Sequence, residues 1–131
     1  MKALIVDDDF TSRLLLQETL KEYCHVHAAV NGREAVDAVR IALESGAPYD
    51  LICLDIQMPE MEGQEGLKRI RELEASHGFP FPNGSKIVMT TALADRSTVL
   101  ESMKYQCDYY LAKPIQRRKL LDELRRMRLI F

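Results

Sequence analysis

The sequence predicts an α/β fold, a doubly wound five-stranded parallel sheet with five helices, and three observations carry that expectation. Short, largely apolar runs recur along the chain, and a segment with helical spacing follows each of them. Runs that are apolar on both sides of the strand alternation suit strands covered on both faces. Right-handed crossovers between parallel strands then send successive helices to one face or the other.

The elements follow in order. Lys2–Val6 is an apolar run that stops at Asp7, Asp8 and Asp9, and Thr11–Tyr23 then brings Leu14, Leu15 and Leu20 to one side of a helix. Cys24–Ala29 reads as the second strand, closed by Asn31-Gly32. Ala35, Val36, Val39, Ala42 and Leu43 recur at helical spacing up to a stop at Ser45-Gly46. Leu51–Leu54 is the third strand and ends on Asp55. Met58-Pro59 breaks the chain there, and Gln64–Ala75 supplies good helix formers with Leu67, Ile70 and Leu73 on one side. HGFPFPNGS, with prolines and glycines closely spaced, is loop. Lys86–Thr90 is the fourth strand, Ala94–Tyr105 the fourth helix and Tyr109–Leu111 the fifth strand. Ile115–Met127 is the last helix, with Ile115, Leu120, Leu121 and Leu124 inward.

A length of 131 residues matches one domain spanning the whole chain, with no output domain. The formal net charge of −2 gives no overall pull toward nucleic acid or membrane. Three aspartates interrupt the first apolar run before a signal core or a membrane span can form, so a cytoplasmic protein is expected. Cys24, Cys53 and Cys107 are odd in number and widely spaced, and read as reduced core cysteines. His25 and His27 lack partners at ligand spacing and read as ordinary strand residues.

Doubly wound sheets place their chemistry just beyond the carboxyl ends of the strands. Those ends carry Asp7-Asp8-Asp9, Asp55, Thr90-Thr91-Ala92 and Lys113-Pro114. If the first and third strands are neighbours, at least three carboxylates crowd together. Two unit charges about 4 Å apart repel by roughly 4 kcal/mol at an effective dielectric near 20. Either their pKa values rise or a hard divalent cation sits among them, and Mg²⁺ is the natural choice. With Lys113 as a fixed positive charge and threonine hydroxyls as donors, the edge suits phosphoryl transfer, in which an aspartate can serve as nucleophile.

LIVDDDFTSR, LDIQMPEMEG, IVMTTA and CDYYLAKPI, in that order and over nearly the whole chain, resemble the receiver domain of two-component response regulators. The resemblance implies the flavodoxin-like strand order 2-1-3-4-5. It also implies that Asp55 is the phosphoacceptor and that Mg²⁺ is held by Asp7, Asp8, Asp55 and the backbone carbonyl of Gln57. Asp8 would touch the metal directly. It makes Thr91 and Lys113 the groups that grip the phosphoryl oxygens, Thr91 and Tyr110 the switch residues, and the peptide bond before Pro114 cis. The implied partners are a sensor histidine kinase or a histidine phosphotransfer protein, and a downstream protein target reached through the fourth helix, fifth strand and fifth helix. A monomer or a weak phosphorylation-dependent dimer is expected, with no nucleic acid, no membrane and no enzymatic turnover of a separate substrate. Glu62-Gly63 and Gln106-Cys107 depart from the family's usual Asp-Gly and Gly-Ala, and the 77–86 loop is long.

A rival reading comes from Asp7-Asp8-Asp9-Phe10-Thr11, which also satisfies the D-x-D-x-T pattern of haloacid-dehalogenase-type phosphatases. There Asp7 would be the nucleophile and Asp9 the acid/base. That chemistry needs a further acidic pair on a later strand, whereas after Lys113 only Asp122 and Glu123 follow, within the last predicted helix. A third reading, a receiver that binds partners without ever being phosphorylated, sits poorly with a complete set of chemical residues.

Overall fold

In a computed structural model, which describes residues 1–58, 61–92 and 96–131, the chain forms the expected alternation. In order the elements are β1 (Lys2–Val6), α1 (Phe10–Leu20), β2 (His25–Ala29), α2 (Gly32–Glu44), β3 (Leu51–Asp55) and α3 (Gly63–Ser76). β4 (Lys86–Thr91), α4 (Arg96–Lys104), β5 (Tyr109–Ala112) and α5 (Arg117–Arg126) complete the chain. The sheet is parallel with order β2-β1-β3-β4-β5, as the resemblance implied. The turn expected at Met58-Pro59 and a helix start at Ala94 involve residues outside those described.

The reversal of strand order lies between β1 and β3, the pair that runs through the centre of the sheet. Both are sealed: Ala3, Leu4, Ile5, Val6 and Leu51 to Leu54 are almost completely buried. Alternate side chains feed two cores. Leu4, Val6, Ile52, Leu54, Ile87 and Met89 pack under α2 and α3, while Ala3, Ile5, Leu51, Cys53, Val88 and Leu111 pack under α1 and α5. Period-two alternation delivers this division directly.

α1 departs from expectation. Leu14 and Leu15 are exposed, and Leu16, Thr19 and Leu20 form the inward stripe. Three consecutive leucines sweep most of the way around a helix, so spacing alone could not say which of them faces the sheet. The helix also ends at Leu20, and a turn leads into β2, which leaves Cys24 just before the strand rather than within it. Ile115 lies ahead of α5 but still packs against the α1/α5 core. The cysteines are free, yet Cys53 alone is fully buried, Cys24 and Cys107 being partly exposed. Burial pushes the Cys53 thiol up to about 12, which makes it an inert packing group. His27 of β2 hydrogen-bonds the Tyr49 hydroxyl through Nδ1 at 2.7 Å.

Candidate functional site

Four of the five strands, β1, β3, β4 and β5, each hand one polar residue to the same edge. The register pairs Val6 with Leu54, Asp55 with Thr90 and Thr91 with Ala112, so Asp7, Asp55, Thr91 and Lys113 follow at neighbouring carboxyl ends. At β1 the chain turns at once into α1. Asp9 is the N-cap and accepts from the Ser12 amide at 2.9 Å and the Ser12 hydroxyl at 2.8 Å. The Asp9 amide in turn donates to Asp7 Oδ1 at 2.9 Å, and Arg13 Nη1 donates to the Asp7 carbonyl at 2.9 Å. These bonds hold Asp7 inward and leave Asp8 exposed.

At β3 the apolar run carries Asp55 to the edge with its side chain almost wholly buried. The Gln57 amide donates to Asp55 Oδ1 at 3.3 Å, while the Gln57 side chain faces solvent. Gly63 closes the turn: its amide donates to the Ile56 carbonyl at 2.8 Å, and a Cβ at this position would lie 2.1 Å from the Asp55 carbonyl oxygen. At β4 Thr91 is fully buried, and its carbonyl takes the Lys113 amide at 2.7 Å. The Lys113–Pro114 bond is cis. Tyr110 is partly buried against the core under α2 and α3.

The carboxylates of Asp7, Asp8 and Asp55 converge, with one oxygen from each lying within 4.8 Å of the others. Lys113 Nζ sits 2.9 Å from Asp7 Oδ2 and 3.3 Å from Asp55 Oδ2. One ammonium does not neutralise three carboxylates. Burial, and then the nearby Asp7 charge, push Asp55 up to about 6 against the opposing pull of Lys113. Burial by itself would lower the pKa of Lys113, but contact with Asp7 and Asp55 outweighs it and holds the ammonium above its ordinary value. Asp7 Oδ2 is buried and, beyond the Lys113 ion-pair contact, takes no well-aligned hydrogen bond. Unspent oxygen donors, excess negative charge and one exposed carboxylate are a donor set suited to a hard divalent cation.

The structure therefore brings together Asp7, Asp8, Asp55 and Lys113, and sets Thr91 and Gln57 on the adjoining strand ends. It leaves out Asp9, whose carboxylate is spent on the α1 cap and held below its ordinary pKa chiefly by the Ser12 hydroxyl and amide. A carboxylate so held is a poor acid/base. Asp122 and Glu123 lie within α5, ion-paired to Arg125 and Arg126 of the same helix. The phosphatase reading thus lacks its acid/base and its second acidic pair. Arg13 and Gly63, which shape the two loops, stand in quoted segments of the sequence, but no local pattern marks what they touch.

Comparison with known proteins agrees with this geometry. A model of the response regulator receiver domain matches residues 3–125. The chain is 34% identical to two-component response regulator 24 of Arabidopsis thaliana over 97% of its own length and 84% of that protein's. It is 36% identical to the sensor histidine kinase GacS of Pseudomonas protegens over 91% of its length. The chain spans only 6% to 12% of the lengths of the kinases it matches. Among solved structures, the receiver domain of the histidine kinase CKI1 from Arabidopsis thaliana, complexed with Mg²⁺ and BeF₃⁻, superposes with a TM-score of 0.80 at 28% identity. That match covers 95% of this chain and 89% of that one.

Proposed function

The chain belongs to the response regulator receiver domain family, and from that premise we propose that it accepts a phosphoryl group on Asp55 from a phospho-histidine. The observation that supports this most directly is the convergence of three carboxylates on one ammonium at the carboxyl edge of the sheet. Relatives of the chain include histidine kinases, so a kinase or a histidine phosphotransfer protein is the donor.

Asp7, Asp8 and Asp55, with the Gln57 carbonyl, would hold Mg²⁺. When bound, the ion supplies positive charge to the transferring phosphoryl oxygens. The ionised Asp55 carboxylate forms the new O–P bond as the P–N bond to imidazole breaks. The electron pair returns to the imidazole nitrogen, which takes up a proton and leaves as neutral histidine. Lys113, kept protonated by Asp7 and 3.3 Å from Asp55 Oδ2, meets the new oxygens, and the Thr91 hydroxyl donates to another of them. Drawing Thr91 toward the phosphoryl group opens space beside β4 that Tyr110 fills. This alters the surface of α4, β5 and α5 that a downstream partner reads. No helix among the described residues is long and apolar enough to cross a membrane.

Incubation with acetyl phosphate and Mg²⁺, followed by intact-mass detection of the phosphoryl group, tests the assignment. The wild type and Asp9→Ala should be labelled alike, and Asp55→Asn should take no label. Labelling that survives Asp55→Asn and disappears in Asp9→Ala would overturn the receiver reading in favour of the phosphatase one.

A further inference from the structure

The route just described runs through Thr91 and Tyr110 to β5. A second mechanical link leaves the site from β3. Gly63 opens α3 with no slack against the phosphoacceptor: a Cβ there would also lie 2.8 Å from the Asp55 carbonyl carbon and 2.8 Å from the Ile56 Cα. The next residue, Gln64, crosses to α4. Its Nε2 donates to the Thr98 carbonyl at 3.2 Å and lies 3.4 Å from Ser102 Oγ. Ser102 is fully buried, and its hydroxyl donates to the same Thr98 carbonyl at 3.0 Å.

We infer that Gln64 is a positioning residue that couples the phosphoacceptor end of β3 to helix α4, so that α4 reads the state of Asp55 directly through α3. The inference rests on Asp55 being the phosphoacceptor. Gln64 is suited to the task because it is one residue from a backbone that cannot move independently of Asp55. A displacement of the Asp55 peptide shifts Gly63, and Gln64 transmits the shift to the Thr98 backbone carbonyl, with the Ser102 hydroxyl beside it. An amide donor also demands a narrower geometry than an apolar contact, so the link is position-sensitive where a leucine would slide. α4 carries Leu100 and Met103 exposed on its outer side, so a shift of this helix moves an apolar surface that a partner can sense.

Three proteins decide the matter: the full chain as wild type, as Gln64→Leu, which keeps the bulk and removes the donor, and as Gln64→Lys, which restores a donor. Beryllofluoride with Mg²⁺ is the phosphoryl probe, its binding followed by ¹⁹F NMR, and amide hydrogen exchange is read over residues 97–104 with and without it. In the wild type the probe should change α4 exchange. In Gln64→Leu it should still bind, unloaded α4 should exchange about fivefold faster, the equivalent of one neutral hydrogen bond, and the probe-induced change should fall at least to about half. Gln64→Lys should restore part of that change. If Gln64→Leu binds the probe and its α4 responds as in the wild type, the coupling role is overturned while the phosphoacceptor reading stands. The same holds if wild-type α4 does not respond to bound probe. Failure of the wild type to bind the probe would overturn the phosphoacceptor reading and the coupling together.

Discussion

Asp55 is a carboxylate that the fold holds at a cost in order to use it. An acid whose folded pKa is raised binds its proton more tightly folded than unfolded, so stability falls as the pH rises from the unfolded value toward the folded one. For Asp55 that window runs from the ordinary carboxylate value of 3.8 up to about 6. Ionised Asp55 therefore weakens the metal-free protein at neutral pH. In the presence of a chelator, Asp55→Asn should raise the unfolding midpoint at pH 7.5 and lose that advantage as the pH is lowered toward 4. A substitution equally stabilising at both pH values would contradict this account. Saturating Mg²⁺ should stabilise the wild type more than the variant, because the cation offsets the repulsion that the substitution removes. The residue types at this edge were legible in the sequence, since acidic, hydroxyl and lysine side chains ending apolar strands have few other uses in combination. Which carboxylate is spent on a cap and which is free was not. Asp9 reaches Ser12, whereas Asp8 converges with Asp7 and Asp55.

Among the elements, the junction of β3 and α3 is the most constrained. Gly63→Ala places a methyl group against the Asp55 carbonyl and has to push α3 away from β3. It should cost about 1–3 kcal/mol and slow labelling of Asp55 by acetyl phosphate roughly tenfold or more, because a small displacement of a reacting group is expensive. Gly46→Ala is the control. It meets nothing within 4 Å and is strained only by a φ of +72°, so it should cost about 1 kcal/mol and leave labelling unchanged. Urea melts and labelling time courses read both quantities, and equal labelling rates in the two variants would refute the positional argument. Strand identity was legible because five short apolar runs alternate with helical spacing. The inward face of α1 was not, because Leu14, Leu15 and Leu16 are equally apolar and only docking on the sheet selects Leu16 and Leu20.

The far edge of the whole molecule is held by a different set of charges. Arg71 of α3 is buried and donates to Glu74 at 2.7 Å, to the Ser85 carbonyl at 2.8 Å, to the Gln106 carbonyl at 2.9 Å and to Asp108 at 2.9 Å. Asp108 also accepts from the Ile87 amide at 2.8 Å, and Glu74 from the Ser85 amide at 2.6 Å. One guanidinium thus ties α3, the loop that ends at Ser85, the start of β4 and the turn between α4 and β5. Arg71→Met would leave the buried Glu74 without its cation and the partly buried Asp108 with only Lys86 at 3.8 Å, and should destabilise the fold by about 3 kcal/mol. Acetyl phosphate should still label Asp55 in the folded fraction, since the network lies at the opposite ends of the strands. Chemical denaturation and labelling measured on the same samples would separate the two effects, and a loss of labelling in fully folded protein would show that the network reaches the site. By itself the sequence determined the strand-and-helix alternation and the acidic, hydroxyl and lysine residues of the edge, because these follow from local spacing and from residue chemistry. Only the tertiary structure decided that Arg71 gathers Glu74 and Asp108, that Gly63 must be bare and that Gln64 reaches α4. Each of those depends on how the folded chain sets one element against another, which local spacing does not encode.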